Sequence, residues 1–256
     1  MEKIIKPSHI LVLLGIGSRT LEDMRTVFCP EDYPFSMEFW QQKNPKLWDH
    51  PDIDRSSVSM LLWDGKGLSV ESALTEAWEQ LVPFWDKIRT TCEKNTFEWG
   101  TSVEVWLDGN IQQIQFGISR EILKQFPWGT ECFAIFPLNR KGEGYNYGSE
   151  QILVEDSFQE PIIHVLMTDP SGTKWPDFQE RTQDLDVAVT DALEFWEQTQ
   201  SLSQTVSMPL EMNIFIEPIN LYRLGFYLES TTLQKLKKLC CRLDIRFSGE
   251  LMEITE

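Results

Sequence analysis

The chain has 256 residues, 41% of them hydrophobic and 12% aromatic, which excludes a disordered polyelectrolyte and is ample for two domains of about 100 residues with a core each. Its 40 acidic and 23 basic residues give a net charge of -17, which repels nucleic acid and anionic membranes and suits a basic partner. Five Cys, including the adjacent Cys240 and Cys241, make neither a disulfide framework nor a zinc motif, so reduced thiols in a cytoplasmic protein are expected.

Lys3 and Lys6 precede the apolar run Ile10 to Leu14, but that run ends at Gly17, Ser18 and Arg19 without a small-x-small cleavage site. No segment approaches the ~18 apolar residues of a membrane helix. Residues 9 to 14 read as a buried strand. Gly15-Ile16-Gly17 reads as a turn, since it lacks the third glycine and the Lys-Ser/Thr pair of a phosphate cradle. Leu21, Met24, Val27 and Phe28 follow at helical spacing after a capping Ser18. Residues 29 to 56, with four prolines among Trp40 and Trp48, read as an ordered contact loop.

Val58 to Trp63 predicts a strand closed by Asp64-Gly65-Lys66-Gly67, and Leu68 to Thr91 a helix whose apolar stripe runs from Leu74 to Ile88. Pro83 is expected to kink or divide that helix. Val103 to Leu107 and Ile111 to Ile118 flank Asp108-Gly109-Asn110, a hairpin signal. Ser119 caps a short helix with Glu121 in its first turn, and Cys132 to Leu138 completes a unit.

After the glycine-rich segment 139–150, a linker, the same order returns. Ile162 to Thr168 is a strand closed by Asp169-Pro170-Ser171-Gly172, matching Met60 to Gly67 at an offset of 105, and Ala188 to Leu193 opens a helix as Ala73 to Trp78 did at 115. Leu210 to Ile216, Leu221 to Leu228, a helix Thr231 to Cys241 and Leu243 to Phe247 follow. Residues 114 to 136 and 224 to 246 match without a gap at 110, with Ile114, Phe116, Ile118, Leu123, Phe126, Phe133 and Ile135 opposite Leu224, Phe226, Leu228, Leu233, Leu236, Leu243 and Ile245. The expectation is an α+β protein of two tandem β-α-β-β-α-β units, the ferredoxin-like split βαβ order, with antiparallel sheets and an N-terminal strand-helix extension. Its units are 1–138 and 151–256, packed side by side with a sheet that is continuous in the simplest arrangement.

Gly225-Phe226-Tyr227-Leu228, the leucines Leu233, Leu236 and Leu239, and Leu243-Asp244-Ile245 resemble the terminal block of a widespread bacterial domain family of unassigned biochemical function. The first unit keeps the entry in Phe116-Gly117-Ile118-Ser119 and lacks the aspartate at Phe133-Ala134-Ile135. Proteins of this kind resemble acidic immunity proteins encoded beside interbacterial toxins. The resemblance implies a non-catalytic antitoxin whose partner is a cognate toxin with a basic surface.

Catalytic signals are thin. His164 lies in an apolar strand pattern, and His50 between Asp49 and Asp52 matches no metal-ligand spacing, so no catalytic residue, metal or cofactor is assigned. Residues 150 to 197 carry twelve acidic residues against Lys174 and Arg181. Such a run is either a solvated face or an electrostatic footprint for a cationic surface. The footprint expected from it is Asp177, Glu180, Asp184 and Asp186, with Trp175 and Phe178 as aromatic anchors, while Trp196 belongs to the core. The alternatives are a small-molecule module with a cleft between the repeats, an enzyme using His164 or His50 beside a carboxylate, and a mimic of nucleic acid.

Overall fold

The computed structural model describes residues 9–18, 24–42, 55–95, 99–108, 114–125, 130–138, 162–168, 178–181, 184–203, 210–217 and 226–247. In the first half these are β1 (His9–Ser18), α1 (Met24–Val27), a 3-10 turn (Pro30–Asp32), β2 (Ser36–Gln42), β3 (Arg55–Gly65), α2 (Val70–Lys94), β4 (Trp99–Asp108), β5 (Gln115–Ser119), α3 (Arg120–Gln125) and β6 (Thr130–Leu138). The second half supplies β7 (Ile162–Thr168), β8 (Phe178–Arg181), α4 (Leu185–Ser203), β9 (Leu210–Glu217), β10 (Phe226–Glu229), α5 (Ser230–Leu239) and β11 (Cys240–Phe247).

Alternation builds the strands. In β1, Ile10, Val12, Leu14 and Ile16 are buried while Leu11, Leu13 and Gly17 on the opposite face are half-buried, the pattern of a sheet with one face on the core. α2 begins where the Ser69 hydroxyl accepts the Ser72 N–H at 3.1 Å, and it buries Ala73, Leu74, Ala77, Trp78, Leu81, Ile88 and Cys92 on one side. Each fully buried Leu or Ile here contributes about 1.5–3 kcal/mol of transfer free energy. Pro83 sits inside α2 on its exposed side, and the helix continues past it as one element. On that side water can satisfy a carbonyl left without its donor.

Two sheets share one core. The six-stranded sheet has the order β10-β6-β4-β1-β3-β2 and the five-stranded sheet β5-β11-β9-β7-β8. β1 is antiparallel to both β3 and β4, as β7 is to β8 and β9, while β6 runs parallel to β4 and β11 parallel to β9. The last strand of each sheet comes from the opposite half: β10 pairs with β6, and β5 with β11. α2 packs on β1, β3 and β5, α4 packs on β7, β8 and β10, and α3 packs on α5.

The mixed α+β class, mostly antiparallel, is as expected, and several details of the arrangement differ. Each sheet holds one parallel pair, and the halves form two sheets with an exchanged strand in place of one continuous sheet. The expected β4–β5 hairpin is absent, because β4 uses its two edges for β1 and β6 and leaves β5 to pair with β11. β7 occupies the place of β1, so the counterpart of β3 is β8, and Phe178 takes the register position of Trp63 at the same offset of 115 that relates α4 to α2. Gly15 and Gly17 lie inside β1 and form no turn, and Ser18 ends that strand opposite Ser56, while residues 19–23 lie outside the described residues. Part of the expected 29–56 loop is the edge strand β2. Cys240 and Cys241 open β11 and do not end α5. The hydrogen-bonded sheets cross the expected boundary between 1–138 and 151–256, and 139–150 lies outside the described residues.

Candidate functional site

The acidic footprint expected from the sequence divides into parts with different duties. Trp175 and Asp177 lie outside the described residues, and Phe178 and Glu180 are placed by backbone in β8, opposite Val165 and Ile163. Asp184 caps α4, its Oδ1 accepting the N–H groups of Asp186 and Val187 at 3.0 and 3.2 Å. Asp186 Oδ1 accepts the Glu229 N–H at 2.6 Å and so braces the start of α4 against the β10–α5 junction. The first half repeats both devices, with Ser69 as cap and Glu71 Oε1 accepting the Ser119 N–H at 3.1 Å. Asp184 and Asp186 therefore hold the scaffold together at positions that the repeat equates with Ser69 and Glu71.

Further along α4, Asp191, Glu194 and Glu197 are exposed, and Glu194 meets Lys235 at 3.4 Å. Trp196, from the same helix, is buried as expected. His164 is buried in β7 between Phe215 and Gln179, His9 pairs with Asp64 at the end of the six-stranded sheet, and His50 lies outside the described residues. Among the described residues, no group of three His, Cys, Asp or Glu is placed to hold a metal ion.

A second locus lies on the outer face of the six-stranded sheet. Val103, Val105 and Leu107 of β4 point into the core, which sends Ser102, Glu104 and Trp106 to the opposite side. Glu104 accepts from Trp106 Nε1 at 3.1 Å and from Ser102 Oγ at 3.2 Å. Burial pushes its carboxyl above the ordinary range, and the bonds from Trp106 and Ser102 offset that only in part. Glycine at position 15 makes room for this arrangement: a Cβ there would stand 2.5 Å from Ser102 Oγ and 3.1 Å from Glu104 Oε1. Over Gly17 a Cβ would meet nothing within 4 Å.

The exchanged strand completes this face. Tyr227 of β10 pairs with Ala134, which pairs with Glu104, and the phenol is held above its ordinary range by burial, then by Cys132 and Glu104. In the next row the register runs Glu229, Cys132, Ser102, Gly15, Ser59 and Glu38, with an exposed glutamate at each end. Sequence reasoning passed over this locus. Its available signals were a glutamate on the polar phase of Val103 to Leu107 and a Gly-x-Gly step that continues a strand.

No family model matches this chain, and no curated protein or solved structure matches it.

Proposed function

We propose that this chain is a non-catalytic immunity protein that acts in the cytoplasm by binding and occluding a cognate toxin with a basic surface. The scaffold is then a tandem pair of β-α-β-β-α-β repeats, a relative of the ferredoxin-like plan with one strand of each repeat exchanged. The observation that carries this reading is the exposed carboxylate row Asp191, Glu194 and Glu197 on α4, in a chain of net charge -17. Repulsion within such a surface is relieved by a cationic partner, and the field accelerates encounter. The helix is anchored at its start by Asp184 and Asp186, so the row is presented on a rigid support.

The alternative of a ligand between the repeats has no comparable support. Around α3 and α5 the junction is packed, with Arg120 donating to the carbonyls of Lys237 and Lys238 at 3.2 Å.

Co-expression with the toxin domain encoded beside its gene tests the proposal. The chain should restore growth, and Asp191→Lys with Glu197→Lys should slow association strongly at low salt and less at high salt. Failure of the wild-type chain to protect, or association rates untouched by the double reversal, would remove it.

A further inference from the structure

The exchange of strands leaves each repeat incomplete without the other. β4 gives its two edges to β1 and β6, so β5 has no place beside it and lies along β11 instead, from Gln115 against Arg246 to Ser119 against Arg242. In the same way β9 lies between β7 and β11, and β10 crosses to β6, from Phe226 against Ile135 to Glu229 against Cys132. The crossing strands carry the buried Phe116, Ile118, Phe226 and Leu228 into the other sheet. Beside them, Ile114 O accepts the Phe247 N–H at 2.9 Å, and Arg120 donates to the Lys237 and Lys238 carbonyls at the end of α5. Every one of these pairings joins a residue before position 139 to one after position 161, and none requires the two to belong to the same chain. Main-chain hydrogen bonds at a sheet edge, with apolar side chains beneath, are also how separate proteins add strands to one another.

We propose that the two repeats are complementary modules and that a second copy of this chain can supply either of them, giving a closed dimer in which two chains exchange halves. The dimer keeps every strand pairing, cap and brace of the single chain and differs only in which residues the connection from β6 to β7 joins. What favours the single chain is proximity, because a covalent connection keeps its own second half at an effective concentration on the order of millimolar. Single chains therefore prevail in dilute solution, and exchange sets in when chains refold together near that concentration. The closed dimer carries α4 twice, which makes it a bivalent form of the same surface. No toxin is needed for the exchange.

The test uses the full chain with a recognition site for a specific protease, flanked by glycine-serine spacers, inserted between Gly144 and Tyr145. The protein is unfolded in urea, refolded at about 1 µM and at about 1 mM, and sized by light scattering after gel filtration. Dilute refolding should give a particle of one chain, and concentrated refolding a second particle of two chains that persists on dilution. Cleavage should convert the two-chain particle into particles of single-chain mass and leave the mass of the one-chain particle unchanged. When isotope-labelled and unlabelled chains are refolded together at the higher concentration, some of the cleaved particles should combine a labelled half with an unlabelled one. A chain that stays single at the higher concentration, a two-chain particle that keeps its mass after cleavage, or a one-chain particle that separates into halves when cut overturns the proposal.

Discussion

The outer faces of the two sheets are built on one register and solve the same problem differently. On the five-stranded sheet the charge is internal, an Arg242–Asp244 pair lying across Gly117. On the six-stranded sheet Ser102 and Trp106 donate to Glu104 beside Gly15. The inner features of the repeats have changed far less, since the caps Ser69 and Asp184 and the braces Glu71 and Asp186 do the same work in both halves. The two halves thus share these folding devices and differ in their solvent-facing rows.

The comparison is broken most severely at the exchanged strands. Phe226 of β10 is buried and meets Phe247 of the other sheet edge-on, with ring centroids 5.5 Å apart. Phe226→Ala should cost about 3–5 kcal/mol and Phe116→Ala, its counterpart in β5, a comparable amount. Each urea melt should show one cooperative transition, because each lesion touches both sheets. Two separate transitions would mean that the halves unfold independently.

Next come the braces. Asp186→Ala and Glu71→Ala should each cost about 1–3 kcal/mol by leaving a backbone N–H without its acceptor, and Asp184→Ala and Ser69→Ala about 1 kcal/mol each. Similar values within each pair, measured by denaturant melts, would sharpen the equivalence of the halves.

Glu104→Gln should act in the opposite direction. Burial holds the carboxyl above its ordinary value of 4.5, so the native chain keeps a proton that the unfolded chain has released. Wild-type stability should therefore fall as pH rises above that value, and Glu104→Gln should be the more stable protein at neutral pH. Asn213→Ala on the other sheet should show no such pH trend. The smallest effect is expected for Asp191→Lys and Glu197→Lys, within about 0.5 kcal/mol of wild-type stability, since both side chains are exposed.

Much of this scaffold was legible locally. Alternation located β1, β3, β4, β6, β7, β9 and β11, and apolar spacing located α2, α4 and α5. Partner choice was not legible, since Asp108-Gly109-Asn110 signals a hairpin to its neighbours in sequence and carries no information about the free edge of β11, more than a hundred residues away. The mismatch of β7 with β3 has the same origin, because two strands of like alternation are distinguished only by their pairing. Glu104 escaped notice because a single acidic residue on the polar phase of a strand is ordinary, and its place against Gly15 follows only from the strand register. The acidic stretch from Glu150 to Glu197 advertised charge but could not separate Asp184 and Asp186, which cap and brace, from Asp191 and Glu197, which face solvent.

The most direct test is the association rate of the chain with its toxin at low and at high salt, for the wild type and for Asp191→Lys with Glu197→Lys. A rate that falls strongly in the double variant at low salt and approaches the wild type at high salt is the expected result. Equal rates for the two chains at low salt would contradict an acidic docking row on α4.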